Sequence, residues 1–169
     1  MNIDAFCQHL LKIYSATERE RRLEMIVREI AAFFGVRSHE VGLFKIDPAG
    51  RNASLSWPPS RRGSMVNFPL KSFVTSLVAL TIKDRQPRID NTFADTNHLH
   101  MMERTPDDPE HRLPIQKIIS VPAIWDNSVR WVIQVSRKGR TPDEAGADFT
   151  AVELDQLERI AATIGQLEL

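Results

Sequence analysis

An excess of charge of either sign is missing from this chain. Lys and Arg number 22, Asp and Glu 22, and the formal net charge is zero. That balance offers no long-range attraction to nucleic acid or to an anionic membrane, and little repulsion against a second copy. Cysteine is nearly absent as well. The single Cys7 cannot close an internal disulfide, so a reducing cytoplasm is the expected setting. No apolar run nears the roughly 20 residues of a membrane span. The opening Met-Asn-Ile-Asp-Ala carries no basic block ahead of an apolar one, so no secretion signal is read there. A phosphate-cradling glycine loop and a Gly-x-Ser-x-Gly elbow are also missing, as are a recognition-helix pair and a basic strip for DNA. The expectation is a domain that is not an enzyme.

What is present is enough for one domain with a proper core: 169 residues, 42 % hydrophobic and 26 % charged. Ile3, Phe6, Leu10, Ile13 and Tyr14 recur at helical spacing, then Leu23, Ile26, Val27, Ile30, Phe33 and Phe34 do so again. Thr17-Glu-Arg-Glu20 reads as a capping box before the second stripe, and Gly35 as its stop. Residues 1–16 form a leading helix open to dimer or signalling contacts, and 17–169 form the domain proper. Val41–Ile46, the turn Asp47–Gly50 and Ala53–Trp57 predict a hairpin, and Val66–Leu70 a short extended piece. Between them lies a loop whose Arg61 and Arg62 are solvated or meet an anion. Ser72 predicts the cap of a helix carrying Phe73, Leu77–Leu80 and Ile82, which Asp84–Pro87 ends. Pro87–Ile89 suits an edge strand, and Asn91–Gln116 is irregular.

The most legible stretch is Lys117–Leu167. Ile118, Ile119, Val121, Ala123 and Ile124 run up to Asp126-Asn127, an Asx pair suited to a tight turn. Val129, Trp131, Ile133 and Val135 return with the alternation of a strand. After a polar loop, Thr150-Ala-Val-Glu153 is a second capping box. Leu154, Leu157, Ala161, Ile164 and Leu167 follow on one helical face, as a narrow seam. Strands joined by hairpins at both ends predict an α+β domain, a central antiparallel sheet of five or six strands with helices on both faces.

Four stretches resemble the GAF domain, the small-molecule sensor module of signalling proteins. They are Ile30–Val36 leading into Val41–Asp47, then Pro87–Asn91 with Phe93 and Asp95, then Ile119–Ala123, then Val132–Lys138 followed by Phe149-Thr150. The resemblance covers roughly residues 20 to 167 and implies the same fold. It implies a ligand pocket between one sheet face and the central helix with the irregular segment after it. The candidate lining is Phe73, Leu77, Phe93, His98, Met101, Met102, Ile119, Val121 and some of Trp131 or Ile133. Alternation leaves open which face of residues 129–136 looks inward.

Specific ligand chemistries of that family match poorly. Its cyclic-nucleotide binders carry Asn-Lys after the last strand, then Phe, three residues and Asp-Glu. Ser136-Arg137 and Phe149–Leu154 stand there, with only the phenylalanine and one acid in common. Bilin binders need a pocket cysteine, and the reductases of free methionine sulfoxide need a thiolate cycle. Cys7 lies outside the matching region. Lys71-Ser72-Phe73 replaces the family's glycines at the central helix, against close backbone approach to a phosphate. His98 and His100 lie near Asp95, Asp107, Asp108, Glu110 and His111. A metal would need three or four of these converging on one ion, and the expected reading is solvated side chains with no metal and no cofactor. The functional expectation is a non-enzymatic cytoplasmic sensory domain. It binds an unidentified small molecule, signals through its terminal helices and pairs through them as a homodimer, without nucleic acid or membrane. The alternative is a ligand-free structural or dimerisation module of a larger signalling protein.

Overall fold

The structure, a computed structural model, describes residues 2–59, 66–98, 101–104 and 112–169, with the side chains of Val66, Met101 and Arg104 outside the description. Helix α1 (Ile3–Ala16) opens where the Asn2 side chain accepts from the Ala5 amide at 2.8 Å. Helix α2 (Arg19–Phe34) follows after two linking residues and ends on Gly35, whose φ of 63° is left-handed. The capping box expected at Thr17–Glu20 does not form. Thr17 is spent on closing α1, its amide donating to the Ile13 carbonyl at 2.9 Å, and Glu18 stands at the start of α2 without a side-chain cap.

Among the described residues the sheet has six strands, ordered β3-β2-β1-β6-β5-β4 and antiparallel throughout. They are β1 (Val41–Ile46), β2 (Asn52–Trp57), β3 (Val66–Pro69), β4 (Arg88–Asp90), β5 (Ile115–Trp125) and β6 (Ser128–Lys138). β5 and β6 run 11 residues each and form the central hairpin. Asp126 and Asn127 join them with φ of 49° and 58°, the positive values of a turn whose twist suits flanking strands.

Helix α3 (Leu77–Asp84) begins later than the sequence suggests. Ser76 caps it, accepting from the Ala79 amide at 3.2 Å. Ser72 instead closes a single 3-10 turn, Leu70–Ser72, so Phe73 and Val74 stay outside the helix. The continuous apolar run able to face the sheet starts only at Leu77. A single turn, α4 (Met101–Arg104), precedes β5. Helix α5 (Ala151–Ile164) carries the expected capping box: the Thr150 hydroxyl accepts from the Glu153 amide at 3.2 Å, and the Glu153 carboxylate accepts from the Thr150 amide at 2.8 Å.

The sheet separates two cores. One face packs on α1, α2 and α5 through Leu10, Ile26, Ile30, Leu43, Ile119, Val121, Ile133, Val135, Leu157 and Ile164. The other packs beneath α3 and the segment from Phe93 to α4, through Phe44, Ile46, Phe68, Val78, Ile118 and Val132. Leu157, Ala161 and Ile164 of the α5 seam are fully buried against the domain's own sheet and helices, so that stripe is not open to a second copy. Burying each such side chain contributes roughly 1.5–3 kcal/mol. Among the described residues no helix is long and apolar enough to cross a membrane.

Candidate functional site: a covered cavity beneath the central helix

Side chains alternate along a strand, so one face of β6 presents Val132, Gln134, Ser136 and Lys138. Beside them stand Ile118 and Ser120 of β5 and Phe44 of β1. Above lie Ser76, Leu77 and Val78, then Phe93, His98 and Met102. Of these, Gln134, Ile118, Phe44 and the residues above, together with Ile115, line a cavity of about 30 Å³, room for about one water. Behind Gln134 runs a directed chain. The Gln134 amide donates to the Ser120 hydroxyl at 3.1 Å, that hydroxyl meets Thr81 at 2.9 Å, and Thr81 donates to the Leu77 carbonyl at 2.7 Å. Ser120 and Thr81 are fully buried, so the chain joins β6 to the backbone of α3 in a medium where hydrogen bonds are strong.

The cover is fastened by charged and polar contacts as well as by the buried Val78, Phe93 and Met102. Lys138, 3 % exposed, donates to the carbonyls of Met102 at 2.7 Å and His39 at 3.2 Å. Glu103 accepts from the Ile115 amide at 2.7 Å and lies 3.3 Å from Nε2 of His98. Nδ1 of His98 is 2.6 Å from the Thr96 carbonyl, which can only accept, so this nitrogen donates. Its ring lies on Phe93 with centroids 4.1 Å apart. Behind Lys138, Glu40 accepts from the Arg37 guanidinium twice at 3.0 Å and from the amides of Arg37 and Lys138 at 2.8 Å. Burial pushes the Glu40 carboxyl up, but the Arg37 side chain and these amides outweigh it and hold it below its ordinary value. Burial draws the Lys138 ammonium down to about 8, against the attraction of Glu40 and Glu103. Gly42 leaves room for the Met102 side chain: a Cβ there would stand 2.5 Å from its Sδ.

Of the candidate pocket residues, Leu77, Phe93, His98 and Met102 lie around this cavity. Phe73 lies before α3, 36 % exposed, with its ring edge-on to Phe68. Met101 is on α4 with its side chain outside the description. Ile119, Val121, Trp131 and Ile133 face the other way, into the core under α1, α2 and α5. The physical reason is that β5 and β6 are buried on both faces, so apolar side chains alone do not mark the cavity side. The missed residues are Phe44, Ser76, Val78, Ile115, Ile118 and Gln134. Gln134-x-Ser136-x-Lys138, polar at every second place of a buried strand, was the available signal. Among the described residues no three His, Cys, Asp or Glu gather as metal ligands. His100, Asp107, Asp108, Glu110 and His111, like Arg61 and Arg62, lie outside the description.

The positions that match the cyclic-nucleotide pattern serve packing instead. The Arg137 guanidinium sits 4.1 Å from the centre of the Phe149 ring and pairs with Glu153 at 2.7 Å, clamping the start of α5 onto β6. Phe149 belongs to the core on the face away from the cavity. Cys7, 3.7 Å from the Arg159 carbonyl, lies between α1 and α5 and is equally remote.

No protein-family model and no curated protein match the chain. Solved structures do. A GAF domain from an Acinetobacter phosphoenolpyruvate-protein phosphotransferase superposes with a TM-score of 0.69 at 14 % identity, over 98 % of this chain and 92 % of that one. The nlh2 GAF domain of A. aeolicus, in an inactive state, gives 0.65 at 12 % identity, over 96 % and 93 %. A phycocyanobilin-bound GAF domain from a cyanobacterial phytochrome gives 0.61 at 15 % identity, over 98 % and 92 %.

Proposed function

We propose, from the premise that the chain has the GAF-domain fold, that it is a non-enzymatic sensory or regulatory domain taking a small molecule beneath α3. The observation that carries this reading is the cavity's construction. Gln134, backed by Ser120, joins Ser76 and His98 as the polar groups of a lining that is otherwise apolar, under a cover held in part by polar contacts. A ligand larger than one water enters by displacing Met102 and His98. The terminal helices rest on the opposite face of the same two strands: Ile119 and Ile133 touch the helix side where Ile118 and Gln134 touch the cavity. A ligand that binds two arrangements of β5 and β6 unequally therefore shifts α1 and α5, and only that difference in affinity does so. Homodimerisation uses the outward faces of these helices, with Leu11 and the 66 %-exposed Val152 as its apolar points.

The test is thermal melting of the chain against nucleotides, amino acids, oxyanions and haem, beside Leu77→Trp, which fills the cavity. One class of compound raises the midpoint of the natural chain and not of the variant. A flat response across the panel overturns the reading. The small volume favours one alternative, a ligand-free structural module, and that is the conclusion a flat panel leaves.

A further inference from the structure

At the turn end of the sheet, away from the covered cavity, lies a depression of about 780 Å³. Its walls are the Asp47–Gly50 turn, the tip of the β5–β6 hairpin, the start of α2, the end of α3 and Leu167–Leu169. Four cationic side chains line it: Arg19, Lys45, Arg85 and Arg130. Among the described residues none of them has a carboxylate oxygen within 4.0 Å. Arg85 donates to the carbonyl and side chain of Asn127 at 3.0 and 3.2 Å, and Arg130 to the Gly165 carbonyl at 3.2 Å. Lys45 stands 5.6 Å from the centre of the Trp131 ring. Arg130 occupies the extra position of a bulge, since Ala123 pairs with Trp131 and Ile124 with Val129; bulges redirect a side chain in this way. Of the acids present, Asp47 is committed to its own turn, accepting from the amides of Arg51 and Asn52 at 2.7 and 3.1 Å. Asp126 and Glu168 remain on the walls. Trp125, 47 % exposed, offers an indole to whatever enters.

We propose that this depression is a second binding site, and that it takes a small planar aromatic carboxylate. Three features select that class. The exposed Trp125 indole presents a flat face for an aromatic ring. Cations held only by neutral carbonyls and a ring still lack the anion that forms their strongest hydrogen bonds. Asp126 and Glu168 weigh against a polyanion, which leaves a single carboxylate. The volume lies within the range of small-ligand sites.

The experiment is calorimetric titration of the whole chain with cinnamate, and with cinnamamide as its uncharged counterpart. Cinnamate binds at one site, and the amide binds about tenfold more weakly or not at all. Lys45→Met and Trp125→Ala each weaken cinnamate about fivefold or more. Both side chains are exposed; Arg19→Gln gives the same answer if either variant folds poorly. Leu77→Trp, which closes the cavity beneath α3, leaves cinnamate binding unchanged, so failure at one site is distinguished from failure at the other. The proposal is overturned by no saturable heat at millimolar cinnamate, by equal affinity for acid and amide, or by binding that survives Lys45→Met and Trp125→Ala.

Discussion

Lys138 and Gly42 seat the cover, one bonding the Met102 carbonyl and the other leaving room for its side chain, and neither stands out by residue type. A lysine at the end of a strand is ordinarily a solvated charge. Here burial lowers its pKa to about 8, against 10.5 for the free side chain. Between those values the unfolded chain binds more protons than the folded one, so stability rises with pH across roughly 8 to 10.5, by up to about 1.4 kcal/mol per unit. Urea unfolding at pH 8 and pH 10 checks this: the natural chain gains stability relative to Lys138→Met. Glu40 acts at the other end. Its depressed pKa gives stability that is present above the ordinary carboxylate range and lost as pH falls through the lowered value. Gly42→Ala drives a methyl into Met102, whose flexible end yields toward the cavity. The expected destabilisation is about 1–3 kcal/mol, read as a lower urea midpoint. At this scale Leu77, Phe93, His98 and Met102 were legible through a family resemblance. Gln134 was legible in principle, as a polar residue repeated at every second place, whereas the role of Gly42 depends on a residue 60 places away and has no local signature.

At the scale of elements, the two capping boxes make a controlled comparison. Thr17–Glu20 and Thr150–Glu153 carry the same pattern, and only the second forms. Both threonines are extended, but Thr17 closes α1 and α2 takes Glu18 as its N-cap one residue later, whereas Thr150 is itself the N-cap of α5. Thr150→Ala therefore costs about 1 kcal/mol, and Thr17→Ala a few tenths at most; two urea curves decide it. The Asn91 side chain adds to the anchoring of α5, bonding the amide and carbonyl of Phe149 at 2.8 and 3.0 Å. Strands, hairpin turns and most helices were legible because their period and punctuation are local. The start of α3 was not, because Ser72 and Ser76 both suit a cap and the sheet beneath decides between them.

For the whole molecule, one sheet with two unlike faces explains the division of labour. The face under α1, α2 and α5 is apolar and closed, and it holds the chain together. The face under α3 carries the buried hydroxyls, amide and ammonium, and its cover is the part with few apolar anchors. Segments of that kind open locally at less than the global free energy. On the function proposed above, a molecule entering there acts on β5 and β6, and through them on the helices at both ends of the described chain. Hydrogen exchange with and without the ligand panel tests this most directly. The account predicts that a binding compound slows exchange in residues 93–98 and 101–104 and at Ser120 and Gln134, and alters it in α1 and α5. Exchange that no compound changes, or that changes only around the turn end of the sheet, would contradict it.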